Sequence, residues 1–348
     1  MDHMKKKQQY RPPPKHRTST QRSAVQRAPV RDFTVLLERA VARREPLFQD
    51  SGTTAFRLVN GAADGFPGFM VDRYAEVLVA HLYEGEKQQV PLEVLSRLAR
   101  QAGAEAVYIK RRPKQASNVK SVQLETLAPG KPVWGREIPE IQILENGLHY
   151  RIRPGDGLST GLFLDMREGR QTIREMSRGK TVLNCFAYTC GFALAGLRGD
   201  ARRVLNLDLS RRYLDWGMEN LRLNGMEPDP HDFVSGDVFD WLNRFGRRKE
   251  TFNIVILDPP SYSTSKGRRF SVEKDYEELL RLAVPATTSG GIILAAMNTH
   301  HISEERFLKQ LRPALPLSAR IRITHEPEID FPVAVGERAC LKICWIQL

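Results

Sequence analysis

The sequence contains no long apolar run and few cysteines. No stretch of its 348 residues approaches the roughly 20 consecutive apolar residues that cross a bilayer. The charged start of the chain is not followed by the apolar segment of a secretory signal. The four cysteines, Cys185, Cys190, Cys340 and Cys344, show no CxxC spacing, which disfavours a zinc site or a disulfide framework. We therefore expect a cytoplasmic protein with no metal site and no membrane partner.

Glycine is scarce where a dinucleotide-binding protein would need it. Residues 181–208 read as a short apolar strand, a loop of small and polar residues, a helix, and a second strand that ends in Asp208. This order is half of a nucleotide-binding α/β unit, and its terminal acid is suited to accept hydrogen bonds from ribose hydroxyls. The loop holds one glycine, Gly191, instead of the repeated glycines of a dinucleotide fingerprint. The pattern therefore counts against a nucleotide-dependent oxidoreductase.

Acidic residues are almost absent from the N-terminus. Residues 1–31 contain nine Lys and Arg against one acid, Asp2, so this segment supplies +8 of a formal net charge of +12. A tail of this composition buries too little surface to fold alone. Near a polyanion it would follow phosphates, whereas alone it would serve only as a solvated, solubilising tail. The sequence favours nucleic-acid contact and leaves the second alternative open.

The remainder of the chain divides into two segments with different patterns. Residues 32–148 contain helical segments and several short strands joined by Gly/Asp turns, which predicts a small α+β domain. A hairpin is expected over residues 141–153, and residues 149–348 then alternate strands with helices. Such alternation predicts an α/β domain with a mostly parallel sheet and helices on both faces.

Three acids follow successive predicted strands of the second segment. Asp208, Asp237 and Asp258 each lie at or just past the end of an apolar run. Ligands of parallel α/β sheets bind beyond the carboxyl ends of the strands. The sequence therefore predicts that these three carboxylates contribute to one site.

Six motifs occur together in the second segment. They are GLFLDMR (161–167), VLNCFAYTCGF (182–192), LDLS (207–210), SGDVFDWL (235–242), LDPPSY (257–262) and GGIILAAMN (290–298). Together they resemble class I S-adenosylmethionine-dependent methyltransferases, and more narrowly the branch that modifies bases of bacterial large-subunit (23S) ribosomal RNA. Upstream, FRLVNGAADGFPGFMVDRY (56–74) is similar to the central domain of that branch. The resemblance covers about residues 56–348 and implies a Rossmann-like domain with S-adenosylmethionine as cofactor.

The resemblance also implies roles for individual residues. The residues expected at the methionine end of the cofactor are Phe163, Asp165 and Arg167, with Asn184, Phe186, Ala187 and Tyr188 in the loop beneath it. Those expected along the nucleoside are Asp208 at the ribose, and Asp237 with Val238 at the adenine edge. Those expected between cofactor and target base are Asp258, Pro259 and Pro260, with Tyr262 as a stacking aromatic. Two features depart from the family: Cys190 stands where a glycine is frequent, and a basic tail replaces the N-terminal RNA-binding module of many members.

A cysteine is missing where some members of this family need one. Members that methylate cytosine at carbon 5 carry a cysteine after the GGIL strand, and its thiolate adds to carbon 6 to activate the ring. Here Asn298 occupies that position, as in a related branch that methylates guanine at N7. N7 attacks a sulfonium methyl through its own in-plane lone pair, so the enzyme mainly aligns and desolvates. We therefore predict guanine N7 as the target, with an exocyclic amine second and cytosine carbon 5 disfavoured, Cys340 and Cys344 being expected in the core.

Two basic clusters are predicted to face RNA. They are Lys110, Arg111, Arg112 and Lys114 at the rim of the first domain, and Lys266, Arg268 and Arg269 beside LDPPSY. The second cluster would suit a phosphate clamp on a flipped nucleotide, and a merely solvated loop is the alternative. A ribosome-assembly factor that binds RNA without catalysis is the competing class of function. The oligomeric state is left open, with a homodimer as one option.

Overall fold

The computed structural model describes residues 33–84, 90–113, 121–265, 268–324 and 328–348. Phe33–Leu348 forms one compact unit. The predicted basic tail lies outside the described residues. Within the described part, no helix combines the length and the hydrophobicity that a membrane span requires.

The first segment folds around a small sheet. Its elements are α1 (Phe33–Arg43), α2 (Glu45–Gln49), β1 (Ala55–Asn60), β2 (Phe69–Tyr74), β3 (Val77–Tyr83), α3 (Leu92–Gln101), β4 (Ala106–Arg112), α4 (Ser121–Leu127) and β5 (Trp134–Gly135). The strand order is β1-β2-β3-β4-β5, and only β3 and β4 run parallel. The mixed small domain expected from the strand–turn–strand pattern is therefore present.

A hairpin connects the small sheet to the rest of the chain. Its strands are β6 (Ile141–Glu145) and β7 (Leu148–Ile152), which pair antiparallel. The two turn residues, Asn146 and Gly147, have φ of 50° and 75°. Asn-Gly is the favoured sequence for such a turn, because both positions need positive φ. The domain boundary predicted at 148/149 falls just after this turn, at the start of β7, and stays a prediction.

The second segment is a doubly wound α/β fold. Its helices are α5 (Arg167–Met176), α6 (Gly191–Arg198), α7 (Arg211–Leu223), α8 (Val238–Arg248), α9 (Val272–Ala283) and α10 (Glu304–Leu311). Its strands are β8 (Thr181–Cys185), β9 (Arg203–Asp208), β10 (Phe233–Ser235), β11 (Phe252–Leu257), β12 (Tyr262–Ser265), β13 (Arg268–Ser271), β14 (Thr287–Asn298), β15 (Arg320–Thr324) and β16 (Leu341–Gln347). The main sheet has the order β10-β9-β8-β11-β14-β16-β15, while β12 and β13 form a separate hairpin.

The strand order places a ligand crevice at the centre of this sheet. From β10 to β14 the strands run parallel, and β16 pairs antiparallel with both β14 and β15. The chain moves outward from β8 through β9 in one direction and through β11 in the other, so the strand order reverses between β8 and β11. Open α/β sheets bind ligands beyond the carboxyl ends of the strands at such a reversal. The predicted Rossmann-like fold is confirmed.

One face of the small sheet packs on the α/β fold. Tyr74 and Tyr108 from the small sheet belong to the same buried cluster as Tyr150 and Leu162. The Tyr74 hydroxyl donates to the Leu162 carbonyl over 3.3 Å and accepts from the Thr160 hydroxyl over 2.8 Å. The small sheet is therefore held directly against the loop that precedes α5.

Candidate active site

The loop after β8 has an unusual backbone. Phe186, Tyr188 and Cys190 have φ of 59°, 50° and 59°, in the left-handed region that side chains with a Cβ seldom adopt. Each such residue costs about 1–2 kcal/mol. Strain of this kind persists only where surrounding contacts impose it, and it is concentrated at functional sites. Here the backbone amide of Ala187 donates to the Leu207 carbonyl over 2.9 Å, which ties the loop to the end of β9.

The acid at the end of β9 holds the same loop. One Asp208 carboxylate oxygen accepts from the Tyr188 amide over 2.9 Å, and the other accepts from the Ser210 amide over 2.8 Å. Burial raises the pKa of Asp208, and these two hydrogen bonds oppose that rise. The carboxylate is thus fixed at the strand tip, where the sequence predicts a ribose ligand.

Cys190 occupies a position that suits glycine, as its φ shows. The Cys190 side chain fits because the facing residue of α7, Gly217, has no side chain. A Cβ on Gly217 would lie 2.4 Å from the Cys190 Sγ. Cys190 is fully buried, and burial raises the pKa of its thiol well above the ordinary value. The thiol is therefore a packing group, and Gly217 on α7 accommodates the departure from the family pattern.

The residues after β10 cap a helix. The Asp237 side chain accepts from the Phe239 amide over 2.9 Å and from the Asp240 amide over 3.3 Å, so it is the N-cap of α8. Val238 is buried behind it. Asn184, on β8, is also buried, and its side-chain amide donates to the Asn206 side chain over 2.9 Å. These contacts support the strand ends, and the cofactor roles of the predicted residues stay predictions.

Two carboxylates lie close together beyond β11. Asp258 directly follows β11, and burial together with the neighbouring Asp165 raises the pKa of Asp258 to about 7. Burial also raises the pKa of Asp165. Pro259 is buried and Pro260 exposed, so the turn presents one proline ring to solvent. Two buried acids whose pKa is raised suit a positively charged ligand, because a nearby cation favours their charged form.

Asn298 joins the motifs of this region. It is the last residue of β14, and its side-chain amide donates to the Asp165 carboxylate over 2.6 Å. Its carbonyl accepts from the Ser261 hydroxyl over 3.1 Å. GLFLDMR, LDPPSY and the end of the GGIIL strand therefore meet at one place, as their resemblance implies.

A cavity of about 330 Å³ opens beside these residues, within the usual range for small-molecule sites. Its α/β wall includes Phe163, Asp165, Tyr188 and Asn298. The Phe163 side chain is 48% exposed, and its ring centroid lies 5.3 Å from that of Tyr188. An open aromatic edge next to polar groups is suited to receive a flat base.

The structure places Arg167 outside this cavity, and its predicted place at the cofactor stays a prediction. This side chain is buried in ion pairs with Glu328 and Asp330, the latter over 2.6 Å, and it does not line the cavity. The cation that supports the predicted methionine end is Arg170, one turn further along α5. Its guanidinium makes two hydrogen bonds to Glu145, of 2.6 and 2.7 Å, and a third to the Phe163 carbonyl over 2.8 Å.

The structure corrects the expectation that Lys110 faces RNA from the rim of the first domain. It is buried, its ammonium donates to the Gly157 carbonyl, and burial lowers its pKa to about 7, so it is not part of an exposed basic rim. Arg111 is exposed, and Arg112 is half-buried in the cavity wall.

The remaining basic residues and the aromatic near LDPPSY are only partly described. Arg269 is exposed on β13, and Tyr262 is 57% exposed on β12. Lys114 and Lys266, and the side chain of Arg268, lie outside the described part of the chain. The RNA roles of these residues stay predictions.

The expectation that Cys340 lies in the core was wrong. It precedes β16, lines the cavity, and its Sγ lies 2.9 Å from the His300 Nδ1. Burial raises the pKa of this thiol, and burial together with His301 lowers the pKa of His300, so both groups favour their neutral forms. Cys344 is buried in β16 as expected. A thiol that faces the cavity was missed because it lies just before β16, far in sequence from the family motif at the end of β14.

Sequence reasoning also missed the opposite wall. Arg57, Asp72 and His81 of the small sheet line the same cavity. The available signal was one or two charged or polar residues on each of three mostly apolar strands. Without the register of the sheet, nothing indicated that the three side chains share one face.

The residues at the strand ends fit S-adenosylmethionine. A fixed carboxylate ends β9, a strained loop follows β8, and the acids Asp165 and Asp258 suit a cationic sulfonium and ammonium. This site and the strand order define the class: a Rossmann-like methyltransferase fold. The chain belongs to the S-adenosylmethionine-dependent methyltransferase family, whose model matches residues 39–343.

Relatives and solved structures agree with this class. The chain is 31% identical over 284 residues to ribosomal RNA large subunit methyltransferase I of Shewanella denitrificans, covering 81% of this chain and 70% of that protein. It is 32% identical over 322 residues to a ribosomal RNA large subunit methyltransferase of Deinococcus radiodurans, covering 90% and 78%.

Among solved structures, SMU.776 complexed with SAH has a TM-score of 0.78 at 29% identity, covering 91% of this chain and 81% of that one. A second structure, of a protein from Streptococcus mutans, has a TM-score of 0.79 at 29% identity, with the same coverage of 91% and 81%. The chain is therefore an S-adenosylmethionine-dependent methyltransferase.

Proposed function

We propose that this enzyme methylates a base of large-subunit ribosomal RNA, and that its target atom is N7 of guanine. The relatives named above support the RNA class. The single observation that carries the choice of atom is Asn298 at the end of β14, hydrogen-bonded to Asp165 in the cavity wall. An amide there positions groups and cannot add to a pyrimidine ring.

Methyl transfer to N7 requires little beyond correct placement of the base against the cofactor. When bound, S-adenosylmethionine supplies a methyl whose bond to sulfur breaks as its bond to N7 forms, and the positive charge passes to the guanine with no proton released. The residues of the chain align the base and exclude water, which accounts for large rate factors in such transfers. Asn298 and Asp165 hold the cavity wall in one arrangement, while the exposed Phe163 edge offers a surface on which the base stacks.

Cytosine carbon 5 is a second candidate because of Cys340. Its Sγ lines the same cavity and contacts His300. Covalent activation would need the thiolate, but burial raises the pKa of this thiol and lowers the pKa of the neighbouring imidazole. Both shifts disfavour the thiolate and imidazolium forms that covalent activation would use, which favours direct transfer.

Nucleoside mass spectrometry separates the two targets. Large-subunit RNA from cells lacking the gene is incubated with the purified enzyme and cofactor, and we expect 7-methylguanosine to form. Cys340→Ser should keep this activity, whereas Asn298→Ala should lower kcat by about 100-fold, the usual cost of misplaced reacting groups. Cys340→Ser should not change SAH affinity appreciably.

A mechanism-based probe tests the alternative target, cytosine carbon 5. RNA with 5-fluorocytidine traps enzymes that add a thiolate to carbon 6. A stable adduct lost in Cys340→Ser, together with 5-methylcytidine as the product, would replace guanine N7 by cytosine carbon 5. An exocyclic methylated base would refute both candidates.

A further inference from the structure

A row of polar side chains crosses the small sheet on the face that lines the cavity. Arg57 on β1, Asp72 on β2, His81 on β3 and Arg112 on β4 come from four adjacent strands. Arg57 makes two hydrogen bonds to Asp72, of 2.7 and 3.1 Å. The His81 Nε2 lies 2.9 Å from the Asp72 carboxylate, and the Arg112 Nε donates to the His81 Nδ1 over 3.3 Å.

The hydrogen bonds define the charge of each member. Because Arg112 donates to Nδ1, the His81 proton is on Nε2 and points to Asp72. Burial lowers the pKa of His81 to about 4, against the effect of Asp72, so the ring is neutral. Burial alone would raise the pKa of Asp72, but Arg57 and His81 bring it well below its ordinary range. The row thus reads positive, negative, neutral, positive.

The two arginines differ in how many of their hydrogen-bond donors remain for a ligand. Besides Asp72, the Arg57 guanidinium contacts the Asn60 side chain and the Met70 sulfur, and it stacks 4.8 Å from the Phe331 ring centroid. Arg112 bonds only to the neutral His81 among the described residues, and none of their carboxylates pairs with it. Its Nε and Nη2 are directed at His81, and among the described residues no printed contact uses Nη1, which leaves this donor for a ligand in the cavity wall.

The opposite wall carries Asp165 and Asn298, where the target base is proposed to lie. The phosphate is the one anionic group of an RNA nucleotide, and arginine binds it by charge-assisted hydrogen bonds. Asp165 and Asp72 make their own parts of the cavity unfavourable for a phosphate. Of the two arginines that the small sheet places in the cavity wall, Arg112 is thus the one better suited to bind the anionic part of a nucleotide.

We propose that Arg112, held in place by His81 and Asp72, binds the phosphate of the nucleotide whose base enters the cavity. This inference rests on the proposed function only in that the cavity receives an RNA nucleotide. It gives the small sheet a direct part in substrate recognition, because that sheet provides one wall of the pocket. It does not depend on which base is methylated.

The test compares nucleotides with nucleosides. Affinities of the full chain, saturated with SAH, are measured by calorimetry and ligand-observed NMR for GMP and guanosine, and for CMP and cytidine. A charge-assisted hydrogen bond contributes about 1.5–3 kcal/mol, so we expect the phosphate to tighten binding by roughly tenfold or more. Arg112→Gln should reduce GMP to the affinity of guanosine, and Arg112→Lys should recover part of the difference.

Arg111 provides the matched control. It neighbours Arg112 on β4, is exposed, and does not line the cavity, because successive strand residues face opposite sides of a sheet. Arg111→Gln should leave the phosphate contribution unchanged. Equal binding of nucleotide and nucleoside by the wild type, absence of binding included, or an unchanged contribution in Arg112→Gln, would overturn the inference.

The outcomes also separate this inference from the proposed function. If cytosine is the target, CMP and cytidine still differ through Arg112, and only the choice of guanine fails. If ribosomal RNA is methylated at guanine N7 while neither pair of ligands shows a phosphate contribution, the role of Arg112 fails alone. SAH affinity, measured in parallel, shows that each variant is folded.

Discussion

Gly217→Ala tests whether the strained loop after β8 depends on the space that α7 leaves for it. The added Cβ would lie 2.4 Å from the Cys190 Sγ, 2.7 Å from its Cβ and 3.3 Å from the Thr189 carbonyl carbon. Cys190 is fully buried with φ of 59°, so its side chain has no open space to enter. Either the helix or the loop must therefore shift.

The expected loss of stability follows from the overlap between the added Cβ and the Cys190 side chain. Overpacking a buried contact costs about 1–3 kcal/mol, and for a domain of this size each kcal/mol lowers Tm by about 2–4 °C. SAH should also bind more weakly, because the Tyr188 amide that contacts Asp208 belongs to the same loop. Cys190→Gly removes both of the closest atoms at a position whose φ suits glycine. The double variant should therefore recover most of the loss.

Thermal unfolding with and without SAH, together with calorimetric SAH affinity, provides the four corners of a double-mutant cycle. Gly169→Ala is the control, since its Cβ would meet no atom closer than 3.5 Å within a helix. If Gly217→Ala lowers Tm by the same amount in the Cys190→Gly background, the two positions are independent. That result would refute the argument that α7 shapes the loop.

Three further predictions concern ionisable groups. Because burial and a neighbouring carboxylate raise the pKa of Asp258 from 3.8 to about 7, the folded state retains a proton that the unfolded state has lost, and stability falls as pH rises through this window. Asp258→Asn should flatten that dependence in denaturation curves measured from pH 4 to 8, and an unchanged slope would contradict it. Arg170→Gln should lower the free energy of unfolding by about 3–5 kcal/mol, because it leaves the buried Glu145 carboxylate unpaired; a loss below 1 kcal/mol in urea titrations would show that water reaches this carboxylate. Lys110→Met should leave RNA affinity and its salt dependence unchanged, whereas Arg111→Gln should reduce the slope against salt by about one if it contacts a phosphate; a lower slope for Lys110→Met would place its charge at the RNA after all.

The alternation of strands and helices was sufficient to predict the fold class. Apolar runs with acids at their ends predicted the β9 and β11 tips, and Asp208 and Asp258 lie there. These features depend on local periodicity and on the rule that parallel strands end at one edge, so no tertiary information was needed. The role of Asn298 was likewise inferred from its place in a motif.

Only the tertiary structure decided which side chains meet. The Asn298–Asp165 hydrogen bond joins residues 133 positions apart, and the Arg112–His81 contact depends on the register of β3 and β4. Lys110 and Cys340 were placed wrongly, because charge and apolar surroundings predict exposure only on average, while strand register sets it for each residue. The cavity lies where the small sheet packs on the α/β fold, and strands and loops of both contribute to its wall. A linear pattern specifies the elements, but contacts across sheets exist only after folding brings distant strands together.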